Sequence, residues 1–321
     1  LEIIPGVIML NKILFSLICV LCPFLCFAEL SNATELENSN EVFVVTKDAK
    51  LFCRTFGKGS PILVIHGGPG LTQNYLLPHM AKLAQNNQVI FYDQRACGRS
   101  LGEANAESIN LKTYLEDIEA IRKHFGLKKM IVLGHSWGGF LGFQYAITHP
   151  EFVEKLILLN SGPISSDEYS LFAQEYFKKI APFPKIEEIQ KSQSFIDGDP
   201  ATSERYYNLV FRTYCYNPEK ANLLDLWMTR KASINFGKVN EIFNKNLLQK
   251  PFNYHDQAKT LKVPTLIVIG DTDVIPISTS RSIHEGIKGS KFVIIKDCGH
   301  FPYVEQPEIL FPMLFDFFKT E

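Results

Sequence analysis

A single serine, Ser136, stands in the run Gly134-His135-Ser136-Trp137-Gly138, with Gly139 beyond it. A serine hydroxyl is a weak nucleophile at neutral pH. It needs a base to take its proton and a third group to orient that base. Glycines two places before and two places after the serine allow a strand-to-helix turn too sharp for larger residues, which holds the hydroxyl out toward a substrate. The apolar run at 129–136 reads as the strand and GGFLGFQYAITHP at 138–150 as the helix. His300, in DCGHFPYVEQP, is a base of the required type, and Asp271 and Asp273, in GDTDVIP, are two acids that could orient it.

Attack by a serine on an acyl carbon creates an oxyanion, which needs two N–H donors. One comes from the residue after the nucleophile and one from an earlier glycine-rich loop. HGGPG at 66–70 is such a loop, and the donors assigned are the amides of Gly68 and Trp137. His66 reads as packed behind that loop rather than as a second base. In DQRACGRS at 93–100, Asp93 and Arg95 are expected to pair and brace a turn.

These residues can meet only if the elements before them lie side by side. Nearly continuous apolar runs at 61–68, 88–93, 129–136, 153–160, 264–273 and 291–300 read as strands of a sheet buried on both faces. Helical patterns lie between them. Leu111, Tyr114, Leu115, Ile118, Ile121 and Phe125 recur at helical spacing, and Gly126 comes next as a stop. The fold class is therefore α/β, a mostly parallel, doubly wound sheet. From 163 to 261 the pattern turns helical and aromatic, which reads as a helical cap inserted between core segments 41–162 and 262–321. Each motif comes directly after a strand, so all gather at the carboxyl edge where such sheets bind ligands.

A formal net charge of -1 leaves no excess of cations for a phosphate backbone, which excludes nucleic acid as a partner. Residues 1–28 read as a signal peptide, with Met9 as the start, 1–8 an upstream extension and cleavage after Ala28. A polar segment occupies 29–40. The expectation is an exported protein, periplasmic or secreted, with an uncleaved N-terminal anchor or a lipid-modified Cys26 as alternatives and no other membrane contact. Cys53, Cys97, Cys215 and Cys298 are scattered singly, which gives no metal signature and permits a disulfide in an oxidising compartment without setting which cysteines would pair. No motif asks for a cofactor or a metal.

Taken together, HGGPG, DQRxxGxS, GHSWGG, GDTD and GHFPYVEQP resemble the α/β-hydrolase superfamily, and within it the proline iminopeptidase group of serine aminopeptidases. The resemblance runs from about residue 41 to the end of the chain. It implies the α/β-hydrolase fold with Ser136, Asp273 and His300 as catalytic triad, because the family spacing G-x-x-D points to Asp273 and leaves Asp271 in the turn. It also implies release of an N-terminal residue, often proline, from a short peptide or aminoacyl amide. Ala96 departs from the group's DQRGxGxS, where a glycine stands. The group places acids in its cap to hold the substrate's free amine, and Glu175, Glu204, Asp225 and Glu241 are the candidates here, Glu204 foremost. The second reading is an esterase or amidase acting on a small apolar acyl substrate. The third is a ligand-binding protein on a hydrolase scaffold, which the intact serine, aspartate and histidine argue against.

Overall fold

The computed structural model describes residues 39–248 and 250–320. The expected leader at 1–28 lies outside them, as does most of the polar segment. The secondary-structure elements of the described residues all belong to one compact unit, Asn40–Glu321.

The strands are β1 (Asn40–Val45), β2 (Lys50–Phe56), β3 (Ser60–Ile65), β4 (Asn87–Tyr92), β5 (Met130–His135), β6 (Val153–Leu159), β7 (Thr265–Gly270) and β8 (Lys291–Ile295). They form one sheet in the order β1-β2-β4-β3-β5-β6-β7-β8. From β3 to β8 every neighbouring pair is parallel, so six strands end on the same edge. Their composition explains their place. MIVLGH of β5 and TLIVIG of β7 are buried at every position, as a strand covered on both faces must be. β1 and β2 add an antiparallel edge. β1 leaves Phe43 and Val45 exposed, as suits an outermost strand.

Helix α1 (Leu111–His124) starts where Asn110 accepts from the Thr113 amide while the Thr113 hydroxyl accepts from the Asn110 amide. Its buried stripe includes Tyr114, Leu115, Ile118 and Ile121. Ile118 and Ile121 are wholly buried, each contributing about 1.5–3 kcal/mol. The chain leaves the helix through Gly126 at φ 64°, a left-handed conformation that suits glycine. Helix α2 (Trp137–Thr148) is buried from Trp137 to Ala146 and runs against β5 and β6.

Between β6 and β7 the chain runs through helices α3 (Ser166–Ile180), α4 (Pro200–Arg212) and α5 (Arg230–Phe243), with shorter turns and no strand among the described residues. Ser165, Asp199 and Thr229 cap these three helices by accepting from amides in their first turns. The two ends of this stretch are clasped together. The Ser166 amide donates to Phe252 O at 2.9 Å and the Tyr254 amide to Ile164 O at 3.0 Å, while the Phe252 amide donates to Ser166 Oγ at 2.8 Å. Helices α6 (Ile277–Gly286) and α7 (Pro307–Lys319) complete the covering of the sheet. Cys53, Cys97, Cys215 and Cys298 are all buried free thiols. No helix among the described residues is long and apolar enough to cross a membrane.

Candidate active site

Ser136 sits between β5 and α2 at φ 58° and ψ -124°, a strained conformation for a residue with a side chain. The glycines around it are there because nothing larger fits. A Cβ on Gly134 would lie 2.1 Å from Gly138 O, one on Gly138 2.1 Å from Ile65 O, and one on Gly139 2.6 Å from Ser161 Oγ. The turn is held by the Ser136 amide on Leu159 O at 3.0 Å and by Ser136 O, which accepts from the Gly162 amide at 2.8 Å.

β7 and β8 bring Asp273 and His300 together. His300 Nδ1 lies 2.8 Å from Asp273 Oδ1, and both side chains are almost fully buried. Nδ1 facing a carboxylate carries the proton, which leaves Nε2 bare to accept one. Asp273 also accepts from the Asn160 amide group at 2.6 Å and from the Ile275 amide at 3.1 Å. Asp271 faces elsewhere and accepts from the Cys298 amide at 3.2 Å. The loop carrying His300 is clamped by the buried carboxylate of Glu305, which accepts from the amides of Gly299, Phe301 and Tyr216. Its burial pushes that carboxyl up while these amides pull it down. The His300 amide donates to Tyr214 O at 3.0 Å, a contact with the helical stretch after β6. The Ser136 hydroxyl makes no hydrogen bond to His300, whose Nδ1 is engaged by Asp273.

His66 lies behind the loop after β3. It is wholly buried, and burial holds its imidazole down near a pKa of about 4. Its Nε2 accepts from the Gln94 amide at 3.0 Å, so Nδ1 carries the hydrogen and donates to Gly67 O at 2.8 Å. Carbonyl and amide point opposite ways across a trans peptide, so the Gly68 N–H is turned away from His66. Gln94 ties this loop to the next one: its Nε2 donates to His66 O at 2.7 Å and its Oε1 accepts from Trp137 Nε1 at 2.9 Å. As the first residue of α2, Trp137 has an amide with no acceptor inside the helix.

The expected pairing of Asp93 with Arg95 is not what forms. Asp93 turns inward and accepts from the amides of Gln73 and Arg99, each at 2.8 Å. Arg95 instead reaches α1 and forks onto Asp117 at 2.7 and 2.8 Å. Ala96 takes φ 61°, the left-handed region, which accounts for a glycine at this place in the group that the sequence resembles.

Ser136, Trp137, Gly68 and His300 all line one cavity of about 1060 Å³ under the helices after β6. Its wall is largely aromatic, with Phe172, Tyr176, Tyr207 and Phe236 among the contributors. Of the four candidate acids in the cap, only Glu241 lines it. Glu204 is exposed outside, Glu175 lies beside Lys178 and Asp225 accepts from the Trp227 amide.

The same architecture recurs in known proteins. Residues 60–307 match the model of the alpha/beta hydrolase fold family. The chain belongs to the alpha/beta hydrolase family. It is 31% identical to the proline iminopeptidase of Lactobacillus acidophilus over 271 residues, 79% of this chain and 88% of the relative. It is also 31% identical to the proline iminopeptidase of Saccharolobus solfataricus over 284 residues, 85% and 88% of the two chains. The crystal structure of a Mycobacterium smegmatis proline iminopeptidase superposes with a TM-score of 0.66 at 22% identity, covering 87% of this chain and 97% of that one. The protein is therefore a hydrolase, and its kinship is with the proline iminopeptidases. The same relatives correct the expectation of an exported protein, since they include Gram-positive and archaeal enzymes of a type that is typically cytoplasmic.

Proposed function

We propose that this hydrolase is an aminopeptidase of the proline iminopeptidase type, releasing one N-terminal residue from a short peptide or aminoacyl amide through an acyl-enzyme on Ser136. The observation that carries the reading is the buried Asp273–His300 pair beside the same cavity as a strained Ser136. His300 Nε2 takes the hydroxyl proton as Ser136 Oγ attacks the carbonyl carbon. Asp273 holds the Nδ1–H tautomer and stabilises the imidazolium. The amides of Gly68 and Trp137 receive the oxyanion. As the tetrahedral intermediate collapses, His300 passes its proton to the leaving amine, and water activated by the same histidine frees the product.

Residues 163–261 act as a cap that sets which substrates reach Ser136. In this reading the substrate's ammonium group is met by Glu241, in α5, which lines the cavity. A second reading, an esterase on an apolar acyl substrate, is favoured by the aromatic wall of the cavity.

Paired anilides separate the two. A hydrogen bond to a charged group is worth about 1.5–3 kcal/mol, or about ten- to 150-fold in discrimination. The expected result is cleavage of prolyl and alanyl anilides with free amines and at least tenfold slower cleavage of their N-acetyl forms. Turnover of a short-chain ester alone, indifferent to amine blocking, would establish the esterase instead.

A further inference from the structure

Two buried side chains, Tyr75 and His135, stand outside the serine, histidine and aspartate chemistry yet touch its supports. The Gly67 amide donates to Tyr75 Oη at 2.6 Å. Tyr75 Oη lies 2.7 Å from His135 Nδ1, and His135 Nε2 lies 2.8 Å from His300 O. A carbonyl oxygen only accepts, so the His135 hydrogen is on Nε2 and Nδ1 accepts from the Tyr75 hydroxyl. The three bonds form one chain with a fixed sense, from the loop after β3 through the residue before Ser136 to the backbone of His300.

We propose that Tyr75 and His135 are positioning residues that hold the oxyanion loop, the nucleophile turn and the base in mutual register. This rests on the proposed triad. Gly67 is packed so tightly here that a Cβ on it would lie 2.9 Å from both Ser136 Cβ and Tyr75 Oη. A shift of the loop at Gly67 is therefore felt directly at Ser136. At the other end, the His135 ring is 4.7 Å from the His300 ring, centre to centre. His300 becomes cationic during turnover, and a second cation at that distance would oppose it. The relay locks His135 as a neutral tautomer, and burial drives its pKa well below the usual histidine range. Both rings are almost fully enclosed, with Tyr303 and Phe301 packed against His135.

The test measures kcat and KM on prolyl anilide for Tyr75→Phe, His135→Leu and His135→Gln, per active site titrated with a fluorophosphonate, and for Ser136→Ala per mole of protein. Tyr75→Phe keeps the ring and removes only the hydroxyl. It is expected to lower kcat about tenfold with KM within about twofold, the size of one lost buried hydrogen bond. His135→Leu breaks both links and should lose more. His135→Gln offers a donor and an acceptor and should recover most of the loss. Unchanged kcat per titrated site in Tyr75→Phe, with only a lowered melting temperature, would overturn the proposal and make the relay purely structural. That variant decides the matter even if His135→Leu does not fold. Full activity in Ser136→Ala would instead overturn the triad reading, and the relay's role with it, whatever Tyr75→Phe does.

Discussion

Replacing Asp273 by asparagine should cripple turnover, and the surroundings set by how much. An asparagine at 273 has two orientations. With its oxygen toward His300, its NH₂ group meets the Asn160 amide nitrogen, donor against donor, where 2.6 Å now separates acceptor and donor. Asn160 cannot turn over in response, because its nitrogen also donates to Gly299 O at 3.0 Å and a flip would set oxygen against oxygen. With its nitrogen toward His300, the variant loses the Ile275 bond and forces the imidazole proton onto Nε2, where it cannot accept from Ser136. Either way the negative charge beside the imidazolium is gone. The expected loss is about 10³–10⁴ in kcat, or about 4–5 kcal/mol in activation free energy. Asp271→Asn keeps an oxygen for the Cys298 amide and should stay within about threefold of the parent. Steady-state kinetics on prolyl anilide compares the two. A larger loss for Asp271→Asn than for Asp273→Asn would refute the assignment of the acid.

Ser136→Ala should lose up to about a millionfold in kcat while unfolding at an unchanged urea midpoint, since it deletes one hydroxyl in a cavity; activity within tenfold of the parent would mean another nucleophile. Gly138→Ala places a methyl 2.1 Å from Ile65 O. It should cost about 3 kcal/mol or more and lower the melting temperature by about 6 °C, and an unshifted calorimetric transition would contradict the packing. Glu119 concerns pH. Burial opposes its ionisation, but the Arg122 fork at 2.7 and 2.9 Å and the Tyr145 hydroxyl outweigh this and bring its pKa from 4.5 to about 2. The carboxyl holds its proton less tightly folded than unfolded, so its stabilisation is present above pH 4.5 and lost as pH falls toward 2. Urea unfolding should show the parent ahead of Glu119→Gln by about 2 kcal/mol at pH 7 and level with it near pH 2; a gap independent of pH would contradict this.

How much of the molecule is legible in its sequence depends on whether the signal is local. The strand before Ser136, the glycines around it and the helix after it are written consecutively, and the sheet with its parallel middle is legible in uninterrupted apolar runs such as 264–270. The same local logic places Gly126 at the end of α1. The antiparallel strands β1 and β2, NEVFVV and KLFCRTF, interleave polar residues with apolar ones and give no continuous apolar run. Partners far apart along the chain stay hidden. Asn160 closes the strand β6 like any turn residue, and its contact with Asp273 spans 113 positions. Gln94 sits in the DQR motif, yet its bond to the Trp137 indole exists only because β4 and β5 flank β3. Proximity alone pairs Arg95 with its near neighbour Asp93, whereas its carboxylate partners are Asp117 on helix α1 and Asp48. Adjoining aromatics draw notice to Glu204, but helical phase turns it outward.

The clasp at the base of the inserted helices bears on how such an enzyme could be rebuilt. Because the chain departs at Ile164–Ser166 and returns at Phe252–Tyr254 on hydrogen-bonded neighbours, the insert could be exchanged for a relative's while the sheet beneath keeps its connectivity. It is not an inert passenger, however. Tyr214 lends its carbonyl to the His300 amide, and Tyr216 gives its own amide to Glu305. A transplanted insert lacking a counterpart of that short turn would loosen His300 as well as reshape the pocket. Under the proposed function, the shape of the pocket and the setting of His300 would therefore change together, because the same insert supplies both.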